Sequence, residues 1–298
     1  MIDPAATGCV DRYAVGSNPV RADRYRKVVQ MLKPVAFLAV LGLALSPQPA
    51  SAQAHGKPPA AHGAHWSYQG AEDPSHWSKL SPEFASCGTG HEQSPVDIVT
   101  SKAAPLPRGT AGFDEVRIDP TARKGPVDIV NNGHTIQVDA VGSEALTIGN
   151  KPYVLQQFHF HSPSEHTLDG RSYPLEAHFV HKSADGKLAV IAVLFEEGAE
   201  NTALMPFWKR LPKSTGEKED LGGDGVNVQP MLPGRHEAYR YAGSLTTPPC
   251  SEAVKWMVMA DRLKASAGQI EALKAIVHVN NRPIQPLLGR PVYKDTVR

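Results

Sequence analysis

Residues 65–298 predict a mainly β, single-domain fold: one large, mostly antiparallel twisted central sheet with a few short surface helices. Three observations carry that expectation. Short apolar or alternating runs recur through the middle of the chain, Asn-Gly and Asp-Gly pairs punctuate them, and helical spacing is scarce. Val127–Val130 and Thr135–Val138 flank Asn131-Asn132-Gly133, the pattern of a hairpin. Val154–His161, Leu175–Lys182 and Leu188–Phe195 read as further strands, separated by Asp169-Gly170 and Asp185-Gly186. Ile270, Leu273 and Val277 stand at i, i+3 and i+7 in one late helix, and a short helix is expected within Thr202–Leu211. There is no internal repeat, and the length does not require two domains.

The first part of the chain reads differently. Arg21, Arg24, Arg26, Lys27 and Lys33 precede the apolar run Val35–Leu45, and Pro47, Pro49 and Ala50-Ser51-Ala52 follow it. A basic start, about 11 apolar residues and an A-x-A site predict a secretory signal peptide over residues 1–52. The run is shorter than the roughly 20 apolar residues that span a bilayer, so no membrane anchor is expected after cleavage. Residues 1–30 resemble neither signal nor domain, and Met31 is an alternative start. Residues 53–64, rich in Ala, Gly, Pro and His, read as a flexible leader. Its His55 and His62, with His65 just beyond, suit a solvated linker better than a metal store.

Charge and cysteine usage narrow the function. The whole chain carries a formal net charge of +1. The signal segment is its basic part, so the remainder is slightly acidic and offers no nucleic-acid footprint. Of three cysteines, Cys9 lies upstream of the cleavage site, leaving Cys87 and Cys250. In an exported chain such a pair is expected to be bridged, with two buried thiols as the alternative.

Chemistry concentrates in Gln157-Phe158-His159-Phe160-His161. Residues i and i+2 of a strand share a face, so His159 and His161 project together and the two phenylalanines pack behind. If Leu175–Lys182 pairs antiparallel with that strand, His178 reaches the same patch. Strand parity sends His181 to the other face; His166 remains a competitor. No cysteine is left to close a structural site, so three histidines plus water is the natural reading, with three hydrogen-bonded half-buried histidines as the bland one. Gln157 and Glu176 share the ligand face and are candidates to orient the imidazoles. The HExxH helix of zinc peptidases is absent.

These residues, together with Gln93-Ser94-Pro95-Val96-Asp97-Ile98, Asn131-Asn132-Gly133-His134, Ser164-Glu165-His166-Thr167, Glu176-Ala177-His178-Phe179-Val180-His181, Gly243-Ser244-Leu245-Thr246-Thr247-Pro248-Pro249-Cys250 and Asn281-Arg282-Pro283-Ile284-Gln285-Pro286-Leu287, resemble the alpha carbonic anhydrases. The likeness runs from about Trp66 to Arg290, with seven segments in the family's order. Carbonic anhydrase is itself the type example of a three-histidine catalytic zinc site.

The resemblance implies one Zn2+ per chain on His159, His161 and His178, and reversible hydration of carbon dioxide to bicarbonate by attack of zinc-bound hydroxide. It implies that Thr246 orients that hydroxide and donates to Glu165, that the Thr246 N–H holds a substrate oxygen, and that Thr247 lines the same wall. Val180, Val190, Leu245, Val254 and Trp256 resemble the carbon dioxide pocket. Tyr68, Asn132 and Gln137 resemble the polar side, from which His134 carries the proton out. Asn280 resembles the residue whose carbonyl supports a zinc histidine, and Cys87 and Cys250 match bridged positions of secreted members. Esterase side activity, inhibition by sulfonamides and small anions, a homodimer and a periplasmic location (extracellular as the alternative) are further implications. A related binding module without catalysis is the rival; such a chain would lack a zinc histidine, and this one keeps all three.

Overall fold

The computed structural model describes residues 64–119, 127–142, 144–222 and 226–298. The expected signal segment, Met31 and residues 53–63 of the leader lie outside the described residues. A 13-stranded sheet dominates. Its centre is Leu188–Glu197, whose interior is buried on both faces and whose sequence is accordingly a nearly continuous apolar run. On one side it pairs antiparallel with Leu175–Ser183, which pairs with Lys151–His161, then Ile136–Asp139 and Asp128–Asn131. On the other side lie Val254–Met259, Glu237–Gly243 and Tyr293–Thr296.

Most pairings are antiparallel, as expected. The exceptions are Leu188–Glu197 against both Val254–Met259 and Leu263–Ala265, and Tyr293–Thr296 against Ala104–Pro105, so the sheet is mixed. The hairpin at Asn131–Thr135 forms where the Asn-Gly signal places it, with Gly133 at φ +87°. Asn131 Oδ1 accepts from Gly133 N at 3.0 Å, and Asn132 Oδ1 accepts from His134 N and Thr135 N, which closes the turn that carries His134.

The two sheet faces carry different chemistry. Phe158, Phe160 and Phe179 are fully buried on one face, in a core with Ile191, Val193, Met257 and Phe207. On the other face Val190, Ala192, Leu194, Trp256 and Tyr241 form a separate cluster. The late helix is Ala267–Val277; Ser266 caps it through a reciprocal box with Gln269, and Ile270 and Leu273 are its buried contacts. The helix expected within Thr202–Leu211 is a single turn, Met205–Trp208, that buries Phe207.

Cys87 and Cys250 are bonded, 163 residues apart, within a small core containing Trp77 and Phe84. Closing so long a loop limits the unfolded chain by roughly 5 kcal/mol at most, and removing a native bridge typically costs about 2–5 kcal/mol. For a domain of this size, reduction or Cys87→Ser is therefore expected to lower the unfolding midpoint by about 5–20 °C. A calorimetric scan with and without dithiothreitol checks this; coincident midpoints would contradict it.

Candidate metal centre

Register brings the histidines together. His159 stands directly opposite His178 and His161 opposite Glu176. A bulge between Leu155 and Gln157 places Gln156 out of step, so Gln157, His159 and His161 share one face. The three rings lie 5.0, 5.2 and 4.6 Å apart, centroid to centroid.

Each ring has one nitrogen committed to a hydrogen-bond acceptor. His159 Nδ1 donates to Gln157 Oε1 at 2.8 Å, His161 Nδ1 to the Asn280 carbonyl at 2.7 Å, and His178 Nε2 to Glu176 Oε1 at 2.8 Å. These contacts fix the tautomers, leaving His159 Nε2, His161 Nε2 and His178 Nδ1 as lone-pair donors. One ligand atom from each residue lies within 4.8 Å of the others. His161 Nε2 is buried without any hydrogen-bond partner. A buried polar atom is rarely left so, and a cation among three imidazoles would satisfy it. Burial, reinforced by neighbouring histidines, holds the His159 imidazole well below its ordinary pKa. Burial likewise lowers His161, so both imidazoles are neutral near neutral pH. The residues therefore fit a tetrahedral zinc ion with one open position.

Around this set lies a second layer, much of which sequence reasoning identified. Burial alone would raise Glu176, but His166 and His178 outweigh it and keep the carboxylate ionised. Glu176 also accepts from the backbone N–H of Glu165 and His166, at 2.7 and 2.8 Å. His166, the competing ligand candidate, has both ring nitrogens engaged, with Glu176 Oε1 at 2.7 Å and the Tyr241 hydroxyl at 2.6 Å. It thus extends the Glu176 network toward Tyr241 and Ser94. His181 lies on the opposite face, as parity requires, against Glu144 and the Phe179 carbonyl. Asn280 does more than support His161: its Oδ1 accepts from Ser162 N, and its Nδ2 donates to the carbonyls of His134 and Phe160.

Glu165 is buried with Oε1 accepting from Arg282 N at 2.8 Å. Its Oε2 has no hydrogen-bond partner and stands 3.5 Å from His161 Nε2 and 3.9 Å from His178 Nδ1. The expected hydrogen bond from Thr246 to Glu165 is thus not formed in this structure. Thr246 is buried on the loop between Glu237–Gly243 and Val254–Met259, and the Thr247 carbonyl of the same loop accepts from Cys250 N. Arg282, which sequence reasoning did not single out, ties this region together. Its guanidinium donates to Gln93 Oε1 and to the carbonyls of Ser94 and Cys87. Only its place within Asn281–Leu287 marked it.

The apolar wall is contiguous: Val190, Val254 and Trp256 are buried in one cluster, with Val180 and Leu245 partly buried against it. The indole of Trp256 lies 4.9 Å from the His178 ring. On the polar side, Asn132 Nδ2 donates to Gln137 Oε1 at 3.4 Å, and Tyr68 packs on Trp66 and Trp77. Burial and the charge of Glu165 push the Tyr68 phenol well above its usual pKa, so it stays neutral. His134 stacks on Trp66, centroids 3.7 Å apart at 10°, and burial together with His65 lowers its pKa.

Three converging imidazoles, seated on a sheet beside an apolar wall, could hold a metal ion of the kind that activates water on a small uncharged substrate. Comparison with known proteins sharpens that class. The chain matches the model of the eukaryotic-type carbonic anhydrase family over residues 72–296. It is 45% identical over 232 residues to the carbonic anhydrase of Pectobacterium atrosepticum, covering 78% of this chain and 91% of that one. To the carbonic anhydrase of Neisseria gonorrhoeae it is 42% identical over 237 residues, covering 78% and 90%. Among solved structures, the alpha-carbonic anhydrase of Thermovibrio ammonificans in complex with the inhibitor sulfanilamide superposes with a TM-score of 0.72 at 41% identity. That match covers 78% of this chain and 99% of that one. Dioscorin complexed with ascorbate reaches 0.70 at 32% identity, covering 78% and 99%. The chain belongs to the eukaryotic-type, or alpha, carbonic anhydrases, lyases that interconvert carbon dioxide and bicarbonate.

Proposed function

We propose that this chain binds one zinc ion per molecule on His159, His161 and His178 and hydrates carbon dioxide reversibly, releasing bicarbonate and a proton. The observation that carries this reading is the set of three imidazoles, each fixed by a hydrogen bond on one nitrogen, with their other nitrogens converging and His161 Nε2 otherwise orphaned. Zinc held by these residues would supply Lewis-acid chemistry and make water a nucleophile near neutral pH, an effect of which carbonic anhydrase is the type example.

The protein's own residues do the rest. Val180, Val190, Leu245, Val254 and Trp256 form a surface suited to a linear molecule with no hydrogen-bond donor. The Thr246 N–H and hydroxyl hold and orient oxygen atoms against that wall, beside Thr247. Glu165 Oε2 is the acceptor that fixes the direction of the Thr246 hydroxyl when the site is in use, and Arg282 N holds the carboxylate from behind. The same arrangement would hydrolyse activated esters as a side reaction and would take sulfonamides and small anions in place of substrate. Among the described residues no helix is long and apolar enough to cross a membrane. We place the mature protein in the periplasm, delivered by the segment ending at Ala52; the Cys87–Cys250 bond suits that oxidising compartment. Stopped-flow hydration of carbon dioxide tests the activity directly: turnover abolished by sulfanilamide is expected, and hydration at the buffer rate would overturn the reading.

His134 is assigned to proton export. Its imidazole titrates below the ordinary value because it is half-buried and lies beside His65, and Trp66 holds the ring flat. His134→Ala is expected to lower kcat by up to about 10²-fold in dilute buffer while leaving kcat/KM nearly intact, because substrate attack precedes proton export. Imidazole buffer should restore kcat. The pH profile of wild-type kcat should inflect below the usual imidazole pKa. Equal losses in both parameters would mean that His134 shapes the metal centre instead.

A further inference from the structure

The alternation of strand Val254–Met259 sends Val254, Trp256 and Val258 toward the cluster beside the histidines, and Lys255 and Met257 to the far face of the sheet. There Lys255 stands opposite Ala189 on one neighbouring strand and Ala242 on the other. Two methyl groups leave space around a long side chain. The segment Ala111–Asp114 passes over it, with Gly112 O accepting from the Lys255 amine at 2.6 Å and Asp114 O from Arg240 Nη2 at 2.8 Å. Between segment and sheet lies a cavity of about 300 Å³ whose walls include Phe113, Ile148, Lys187, Arg240, Lys255 and Met257. Its size falls at the lower end of small-molecule sites, and its walls combine apolar surface with a few charged groups.

The charges on those walls do not balance. Arg240 is matched by Asp295 at 2.6 Å, and Lys151 nearby by Asp185 at 2.7 Å. Lys187 and Lys255 form no ion pair among the described residues, while the carboxylates facing them are Glu92 at the cavity wall and Asp114 close to Lys255. Burial lowers the Lys255 amine; Asp114 opposes this, and Arg240, Lys187 and Lys151 add to it. An ammonium half out of water, with three further cations acting on it, is a group that an arriving anion would stabilise. Phe113, Ile148 and Met257 offer that anion an apolar wall.

We infer that this cavity is a second ligand site, separated from the catalytic histidines by the sheet itself, for a small aromatic carboxylate. The carboxylate binds between Lys187 and Lys255, and the ring rests against Phe113 and Met257. The inference stands on this far face alone and does not require the zinc mechanism. The test uses the metal-loaded protein with sulfanilamide saturating the catalytic centre and benzoate as probe, followed by titration calorimetry at low ionic strength. One saturable benzoate site is expected, weakened at least about tenfold by Lys255→Met and separately by Lys187→Met, with carbon dioxide hydration unchanged in both variants. Acetate, which lacks the ring, should bind at least about tenfold more weakly. Absence of saturable binding, or wild-type affinity in both variants, would overturn the site. Acetate or bicarbonate binding as tightly as benzoate would overturn the aromatic assignment.

Discussion

His161→Ala should empty the metal centre and reduce carbon dioxide hydration to background. Two imidazoles are too few to hold zinc firmly, and among the described residues the two cysteines are bonded to each other, 163 residues apart in sequence, so neither can supply a thiolate instead. Loss of an outer hydrogen-bond partner typically costs 10–100-fold in metal affinity, so loss of a ligand should cost more than about 10²-fold. The same holds for His159→Ala and His178→Ala. By comparison, Gln157→Ala, which frees His159 Nδ1, should cost only the smaller factor. His161→Ala removes a neutral ring, leaving no buried charge behind, although the Asn280 carbonyl loses its donor. The variant should therefore fold, and its circular dichroism should match the wild type. Metal content by emission spectroscopy after dialysis reads the effect; full zinc retention in a ligand variant would remove that residue from the set.

Thr246→Ala carries the second-largest expected effect, a fall in hydration of roughly 10²–10³-fold with metal content unchanged. The effect runs through Glu165. Its Oε2 is buried, unpartnered and directed at the histidine cluster, while Oε1 is held by Arg282 N. A buried carboxylate oxygen with no donor is costly, and in the proposed mechanism the Thr246 hydroxyl would be the group that satisfies it. Thr246→Ser keeps the hydroxyl and should recover most of the rate. Glu165→Gln replaces an obligatory acceptor with an amide and should fall by a similar factor. The double variant should lose little more than either single one, because both act on one hydrogen bond. Wild-type kinetics in Thr246→Ala would make the residue part of the wall only.

Local pattern made much of this legible. Asp128–Asn131, Ile136–Asp139, Lys151–His161, Leu175–Ser183 and Leu188–Glu197 appear where apolar runs and Asn-Gly or Asp-Gly turns place them, because each pairs with a near neighbour in sequence, whereas the short strand Ala145–Ile148 was not anticipated. Strand parity alone separates His178 from His181 and groups His159 with His161. Glu237–Gly243 and Val254–Met259 escaped the pattern because Glu237, Arg240 and Lys255 interrupt the apolar signal. The parallel pairing of Leu188–Glu197 with Val254–Met259 is fixed by packing between distant segments, which no short window records. The same reason hides the Asn280 carbonyl behind His161, 119 residues away. That contact came only through the family resemblance. His166 shows the opposite limit: its residue type suggested a ligand, and only the fold reveals that Glu176 and Tyr241 occupy both its nitrogens.

The most direct test of the central claim is a metal titration of the protein comprising residues 53–298. Zinc is removed with a chelator and returned in measured steps while carbon dioxide hydration is followed by stopped flow. The account predicts that activity is lost with the metal, returns linearly, and saturates at one zinc per chain, with no recovery in His161→Ala. Hydration that persists in the metal-free protein, or that needs more than one zinc per chain to return, would contradict it.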